Sequence, residues 1–281
     1  MRNRILSLAF ALTFVLCSAS LLTINSLRGS NFSITFFNIG HGDAMFIQTP
    51  NNGQVLIDGG PSPEVLSKLG ERMPFYDNEI ELVFISHLHA DHITGVVEIL
   101  RRYSVGTLLV NDYNYDSPVV KQLVDEIGKT NTKVRSFYRG DSVIIDGVEI
   151  RSLWPEEGAT CENINDCAQV LHVSYGDFDA LLTSDVELSR IDIGEEYSYS
   201  VDVLKVPHQG NKSSVSQDVV NRMKPVYAIF SVGENNYGHP NEEIVSMLRS
   251  FGTNVMRTDE VGDIEFEVKN KYDKPHLSVT K

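Results

Sequence analysis

Three of the chain's eight histidines fall in one short segment, Ser86-His87-Leu88-His89-Ala90-Asp91-His92. An apolar run, Leu82–Ile85, precedes it. After it, Val96, Val97, Ile99 and Leu100 form an apolar face at helical spacing. A strand therefore ends and a helix begins around these histidines. Alternation puts His87 and His89 on one side, while the turn into the helix brings Asp91 and His92 around a second point. Imidazole nitrogens and carboxylate oxygens are ligands of borderline divalent metals. Solvated histidines rarely cluster between an apolar strand and an apolar helix, so the segment reads as a metal-binding loop.

The rest of the chain supplies the layers such a loop needs. Strands are expected at Phe32–Phe37, Ala44–Gln48, Gln54–Ile57, Glu81–Ser86 and Thr107–Val110. Helices are expected at Pro63–Arg72, Ile93–Tyr103 and Pro118–Ile127. A second strand-rich half follows, with Val143–Ile145, Val148–Leu153, Val170–Tyr175, Phe178–Thr183, Val201–Val206, Tyr227–Val232, Val255–Arg257 and Ile264–Val268. Its helices are expected near Ser214–Met223 and at Asn241–Phe251. Both halves run hairpins first and helix–strand units afterwards. That order suits an α/β (α+β) architecture, an αββα sandwich of two mixed β-sheets with helices on the outer faces.

Composition narrows the function classes. The 281 residues are 42% hydrophobic and carry a net charge of −14, which allows a full core and argues against a broad basic nucleic-acid clamp. Local recognition through bound cations stays open. At the N-terminus, Arg2 and Arg4 precede an apolar run from Ile5 to Leu16 that continues more weakly to Ile24. This is the pattern of a signal peptide or an uncleaved membrane anchor, with the remainder outside the cytoplasm. Cys161 and Cys167 then remain as either a short disulfide or two free thiols.

His87-x-His89-x-Asp91-His92 resembles the signature of the metallo-β-lactamase fold. Further stretches are Phe37-Asn38-Ile39-Gly40-His41-Gly42-Asp43-Ala44, Leu56-Ile57-Asp58-Gly59-Gly60 and Leu182-Thr183-Ser184-Asp185. With Leu204-Lys205-Val206-Pro207-His208-Gln209-Gly210 and Asn236-Tyr237-Gly238-His239-Pro240, they resemble the C-terminal hydrolase domain of ComEC-type competence proteins, which take up DNA. The resemblance runs from about Ser33 to Val268, and with the N-terminal pattern it divides the chain into residues 1–28, a signal peptide or N-terminal anchor, and 29–281, a metallo-β-lactamase-like domain. It implies His87 and His89 as ligands of one metal, Asp91, His92 and His208 as ligands of a second, and Asp185 as the bridging carboxylate. It also implies that Asp43, Asp58, Asn165 and Asn236 contact substrate or support the ligands.

Two departures stand out. Asn38 and His41 replace an acid and a glutamine of the family pattern, and the usual second histidine after His208 is Gln209. His172 is the only histidine between the metal loop and Asp185 and sits within a strand, which makes it a weak additional ligand candidate. Two divalent ions, zinc or manganese, would acidify a shared water and offset charge on a phosphoryl group. Asp91 and His239 are the expected catalytic groups, His239 serving the leaving oxygen. Lys205 and Lys212 flank His208, either to meet phosphate or as solvated charges. The expected activity is an exported DNA phosphodiesterase, the alternative being hydrolysis of a lactam, lactone or thioester on the same metals. DNA or another phosphodiester, and the membrane if the leader is retained, are the expected partners; no protein partner is expected.

Overall fold

A computed structural model describes residues 31–111, 115–191 and 200–281. The expected leader, residues 1–28, lies outside them. In chain order the first strands and helices are β1 (Phe32–Phe36), β2 (Met45–Gln48), β3 (Gln54–Ile57), α1 (Glu64–Arg72), β4 (Glu79–Ile85) and α2 (Ala90–Arg102). β5 (Ser104–Val110), α3 (Pro118–Lys129), β6 (Lys133–Arg135), β7 (Ser142–Ile145), β8 (Val148–Trp154), β9 (Val170–Tyr175) and β10 (Phe178–Leu182) follow. The remainder is β11 (Val203–Lys205), α4 (Gln217–Met223), β12 (Tyr227–Phe230), α5 (Glu242–Ser250), β13 (Asn254–Arg257), α6 (Thr258–Val261), β14 (Ile264–Val268) and β15 (His276–Val279).

These strands make two mixed sheets, ordered β15-β14-β1-β2-β3-β4-β5-β6 and β13-β12-β11-β10-β9-β8-β7. In each, antiparallel hairpins lead into a parallel set: β3 to β6 in the first and β10 to β13 in the second. Strand alternation explains the layering. Leu82 and Phe84 of β4 point into the core between the sheets, together with Phe178, Ala180 and Leu182 of β10. Val83 and Ile85 point the other way, under Val96 and Ile99 of α2 and Leu69 of α1. On the opposite outer face, Leu181 and Leu204 pack under Val220 of α4 and Leu248 of α5. Burial on both faces is why these strands read as continuous apolar runs. The result is the expected αββα sandwich.

Two strands were not expected from the pattern, β6 and β15. Both lie at the outer edges of the first sheet and bury little, so they carry no apolar alternation. Among the described residues, no helix is long and apolar enough to cross a membrane.

Candidate metal centre

Every candidate ligand sits just past the C-terminal end of a parallel strand, where open α/β sheets hold their ligands. Asp58 follows β3, His87 to His92 follow β4, Asp185 follows β10 and His208 follows β11. The backbone bends sharply there. Asp58, Ser184, His208 and Gln209 all have positive φ, between 48° and 57°. A non-glycine residue in that region stores strain that the surrounding structure must hold, and such strain concentrates at working sites.

On the first sheet, Asp58 organises the loop. It accepts hydrogen bonds from the Ser86 backbone N–H (2.8 Å) and the Ser86 hydroxyl (2.6 Å), and its Oδ2 lies 2.8 Å from His92 Nδ1. A carboxylate only accepts, so Nδ1 carries a proton and His92 Nε2 is directed away from Asp58. Packing holds the loop close: a Cβ on Gly95 in α2 would fall 1.9 Å from the Gly59 carbonyl, so only glycine lets helix and loop meet. His87 is fully buried, with Nδ1 beside the hydroxyls of Ser86 (3.1 Å) and Ser184 (3.3 Å) and Nε2 3.0 Å from His89 Nδ1.

The second sheet contributes Asp185, whose Oδ2 is 3.5 Å from His92 Nε2, 3.9 Å from His87 Nε2 and 3.8 Å from His208 Nε2. Gln209, standing where the family pattern has a second histidine, donates to Asp185 Oδ1 at 3.1 Å. It orients the carboxylate.

Burial holds His87 well below the usual imidazole range, and the neighbouring His92 charge adds to this. His89 is lowered as well, chiefly by burial. For His92 burial acts in the same sense, but Asp185 and Asp58 outweigh it and raise the ring well above its usual value. Asp185 is correspondingly held well down, its burial overcome by His92, His87 and Lys205. His87 and His89 are thus neutral, the form in which an imidazole binds a metal.

These residues fit a pair of divalent cations. His92 Nε2 is buried without a hydrogen-bond partner and has Asp91 Oδ2 at 3.7 Å as well as Asp185. Among the described residues, His87, His89 and Asp185 form one group whose ligand atoms lie within 4.8 Å of one another, and Asp91, His92 and Asp185 form a second. Asp185 belongs to both. A third group, Asp43, Asp58 and His92, has its carboxylates engaged by Lys205 and Ser86.

Above the centre lies a cleft of about 530 Å³ lined by His41, His89, Asp91, Asn165, Tyr237 and His239, among others. Asn165 Oδ1 and His239 Nδ1 are buried there without hydrogen-bond partners. Asn165 rides on a short 3₁₀ turn, Ile164–Cys167, closed by the Cys161–Cys167 disulfide. Of the two cysteine readings, the disulfide is the one formed.

Other candidates stand elsewhere. Asn236 is exposed and does not line the cleft; its neighbours Asn235 and Tyr237 carry the structural roles in that loop. His172 pairs with Asp179 across the β9–β10 hairpin at 2.9 Å, away from both metal groups. Lys212 is exposed and pairs with Glu243 at 3.2 Å. Lys205 is neither solvated nor open to a phosphate. It is fully buried, paired with Asp43, and donates to the Ser184 carbonyl at 2.9 Å. A lysine closing an apolar strand was the signal for such a pair. Asp43 accordingly lies beneath the site, fully buried and outside the cleft.

Residues 38–145 match the sequence profile of the Metallo-beta-lactamase superfamily. The chain has the metallo-β-lactamase fold. Members of this superfamily are generally metal-dependent hydrolases. The chain is 28% identical over 275 residues to ComE operon protein 3 of Bacillus subtilis, covering 89% of this chain and 35% of that protein. It is 25% identical over 269 residues to Recombination protein 2 of Haemophilus influenzae, covering 93% of this chain and 32% of that one. It therefore spans about a third of the length of these relatives. In fold, the chain is similar to YhfI of Bacillus subtilis, a metallo-beta-lactamase fold protein, with a TM-score of 0.57 at 15% identity over 82% of this chain and 98% of that one. It is also similar to CmlA, a diiron beta-hydroxylase from Streptomyces venezuelae, with a TM-score of 0.57 at 13% identity over 85% of this chain and 54% of that one. The sandwich alone does not select the reaction.

Proposed function

We propose that this chain is an exported, metal-dependent phosphodiesterase acting on DNA. The observation that carries the reading is the pair of histidine–aspartate groups that share Asp185 across two sheets. His87, His89 and Asp185 would hold one cation, and Asp91, His92, His208 and Asp185 the other, with manganese or zinc suiting such mixed nitrogen and oxygen donors. When bound, two such cations supply Lewis-acid chemistry, acidifying water and offsetting charge on a phosphoryl oxygen. DNA as the substrate rests on the resemblance to competence hydrolase domains and on the relatives matched over 89% and 93% of this chain.

The chain's own residues divide the remaining work. Asp58 holds His92 Nδ1 and so orients the ring, and Gln209 holds the Asp185 carboxylate. His239 is lowered by burial and by its neighbours His208 and His41, so it is a neutral ring. A neutral imidazole bears one N–H, and His239 would donate it as a hydrogen bond that offsets charge on the departing oxygen, which takes its proton from water. Asp91, on the first turn of α2, faces both His92 and the cleft. The negative overall charge fits local recognition with a shallow salt dependence. Export is supported by the basic-then-apolar N-terminus and by the disulfide, which suits an oxidising compartment.

The test supplies purified full chain with manganese or zinc and compares single-stranded DNA with nitrocefin, a homoserine lactone and a glutathione thioester. We expect DNA cleavage that chelator abolishes and that Asp185→Asn lacks. Turnover of a carbon-centred substrate with intact DNA would overturn the proposal.

A further inference from the structure

Tyr237 is 76% exposed, yet it is not a loose surface side chain. Its ring stacks on that of His41, with centroids 5.4 Å apart and planes 22° from parallel, and both residues line the cleft. The loop that carries it is held by one residue. The Asn235 side-chain amide donates to the carbonyls of Gly233 (2.9 Å) and His239 (2.7 Å), and its Oδ1 accepts from the backbone N–H groups of Tyr237 and His239 (3.1 Å each). His41 arrives from the other sheet, on the loop between β1 and β2. The two loops are keyed together at Gly233, where a Cβ would lie 2.5 Å from the Gly40 carbonyl carbon. The aromatic surface is therefore rigid before anything binds.

Its position relative to the metal centre is also defined. Tyr237 and His239 have ring centroids 5.8 Å apart, His239 and His208 5.6 Å, and His208 Nε2 lies 3.8 Å from Asp185. A line of rings thus runs from the bridging carboxylate to an open aromatic face at the rim. His41 Nδ1, beneath that face, is buried and has no hydrogen-bond partner. A nucleobase is a flat ring attached through one sugar to its phosphate, and stacking on an aromatic face suits every base alike. In a duplex those faces are covered by neighbouring bases. A protein of net negative charge can still grip a strand this way.

We propose that Tyr237, stacked on His41, is a nucleobase platform that selects single-stranded nucleic acid by holding the base next to the phosphate at the metal centre. This rests on the phosphodiesterase reading above and adds the form of the substrate. Tyr237 here binds and positions; it does no bond chemistry.

The experiment measures dissociation constants by fluorescence anisotropy, using the full chain in calcium. The probes are a short thymidine strand and an abasic strand of equal length and charge. Wild-type protein is expected to bind the thymidine strand about tenfold more tightly, the scale of one base–aromatic stack. Tyr237→Ala should bring the ratio close to one, and Tyr237→Phe should retain it. The same ratio should appear in KM, more than in kcat, when manganese permits turnover. An unchanged ratio in Tyr237→Ala, or equal wild-type affinity for both strands, would overturn the platform. Failure of the enzyme reading looks different: neither DNA nor bis(p-nitrophenyl) phosphate would be cleaved, while anisotropy would still report whether bases are bound.

Discussion

Lys205 and Asp43 form an ion pair with both side chains fully buried, directly beneath the candidate metal centre. Burial pushes the Asp43 carboxyl above its usual range while the Lys205 ammonium draws it back. The same ammonium lies 4.0 Å from Asp185 Oδ1. Removing one partner leaves the other charged and unsolvated. Lys205→Met should therefore cost about 3–5 kcal/mol in urea unfolding, whereas Lys205→Met with Asp43→Leu should recover most of that loss. Strict additivity of the single variants would show that the pair is not coupled.

Asp58 acts through His92. Asp58→Ala removes the acceptor that orients the ring, and loss of such an outer partner lowers metal affinity by about 10–100-fold. Isothermal titration with manganese or zinc reads this directly, and the folded fraction by circular dichroism separates it from unfolding.

Cations that bind only the folded chain must raise its stability. At a free concentration about 100 times Kd the gain is about 2.7 kcal/mol. Dialysis against chelator should lower the unfolding midpoint, and adding back manganese or zinc should restore it, with little restoration in Asp185→Asn. A chelator-insensitive midpoint would count against the centre.

The Cys161–Cys167 disulfide closes a loop with a sequence separation of 6. For so short a loop, constraint of the unfolded chain contributes about 2 kcal/mol. Cys161→Ser with Cys167→Ser should lose about that much in urea unfolding. The loss should be insensitive to reductant, which should weaken only the wild type.

Gly233→Ala tests the contact between the loops. The added methyl meets backbone rather than a flexible side-chain end, so about 1–3 kcal/mol of overpacking is expected. Gly70→Ala is a suitable control, since nothing lies within 4 Å of its would-be Cβ.

What could be read from the residues depended on whether the signal was local. β3, β9 and β14 match their expected runs to the residue, because burial of one or both strand faces writes itself into consecutive positions. β6 and β15 bury too little to do so. The histidine loop was legible for the same reason: its strand, ligands and helix are contiguous. Contacts between the sheets were not. Ser184 Oγ donates to Ser86 Oγ at 2.7 Å across a sequence separation of 98, and nothing around either serine announces it. Lys205 hinted at burial by closing an apolar strand, but its partner could be named only once β11 and the loop after β1 were placed together. In the 235–237 stretch the pattern singled out Asn236, whereas turn geometry makes Asn235 the clasp and Tyr237 the exposed ring.

Because His87, His89, Asp91 and His92 emerge from one sheet while Asp185 and His208 emerge from the other, neither sheet holds a complete set of donors. A growing chain that has reached only β6 lacks Asp185, the ligand both groups share, so neither group can form. The hydrolase proposed here would switch on at the moment its last sheet docks, which spares the cell that makes it from a half-built nuclease.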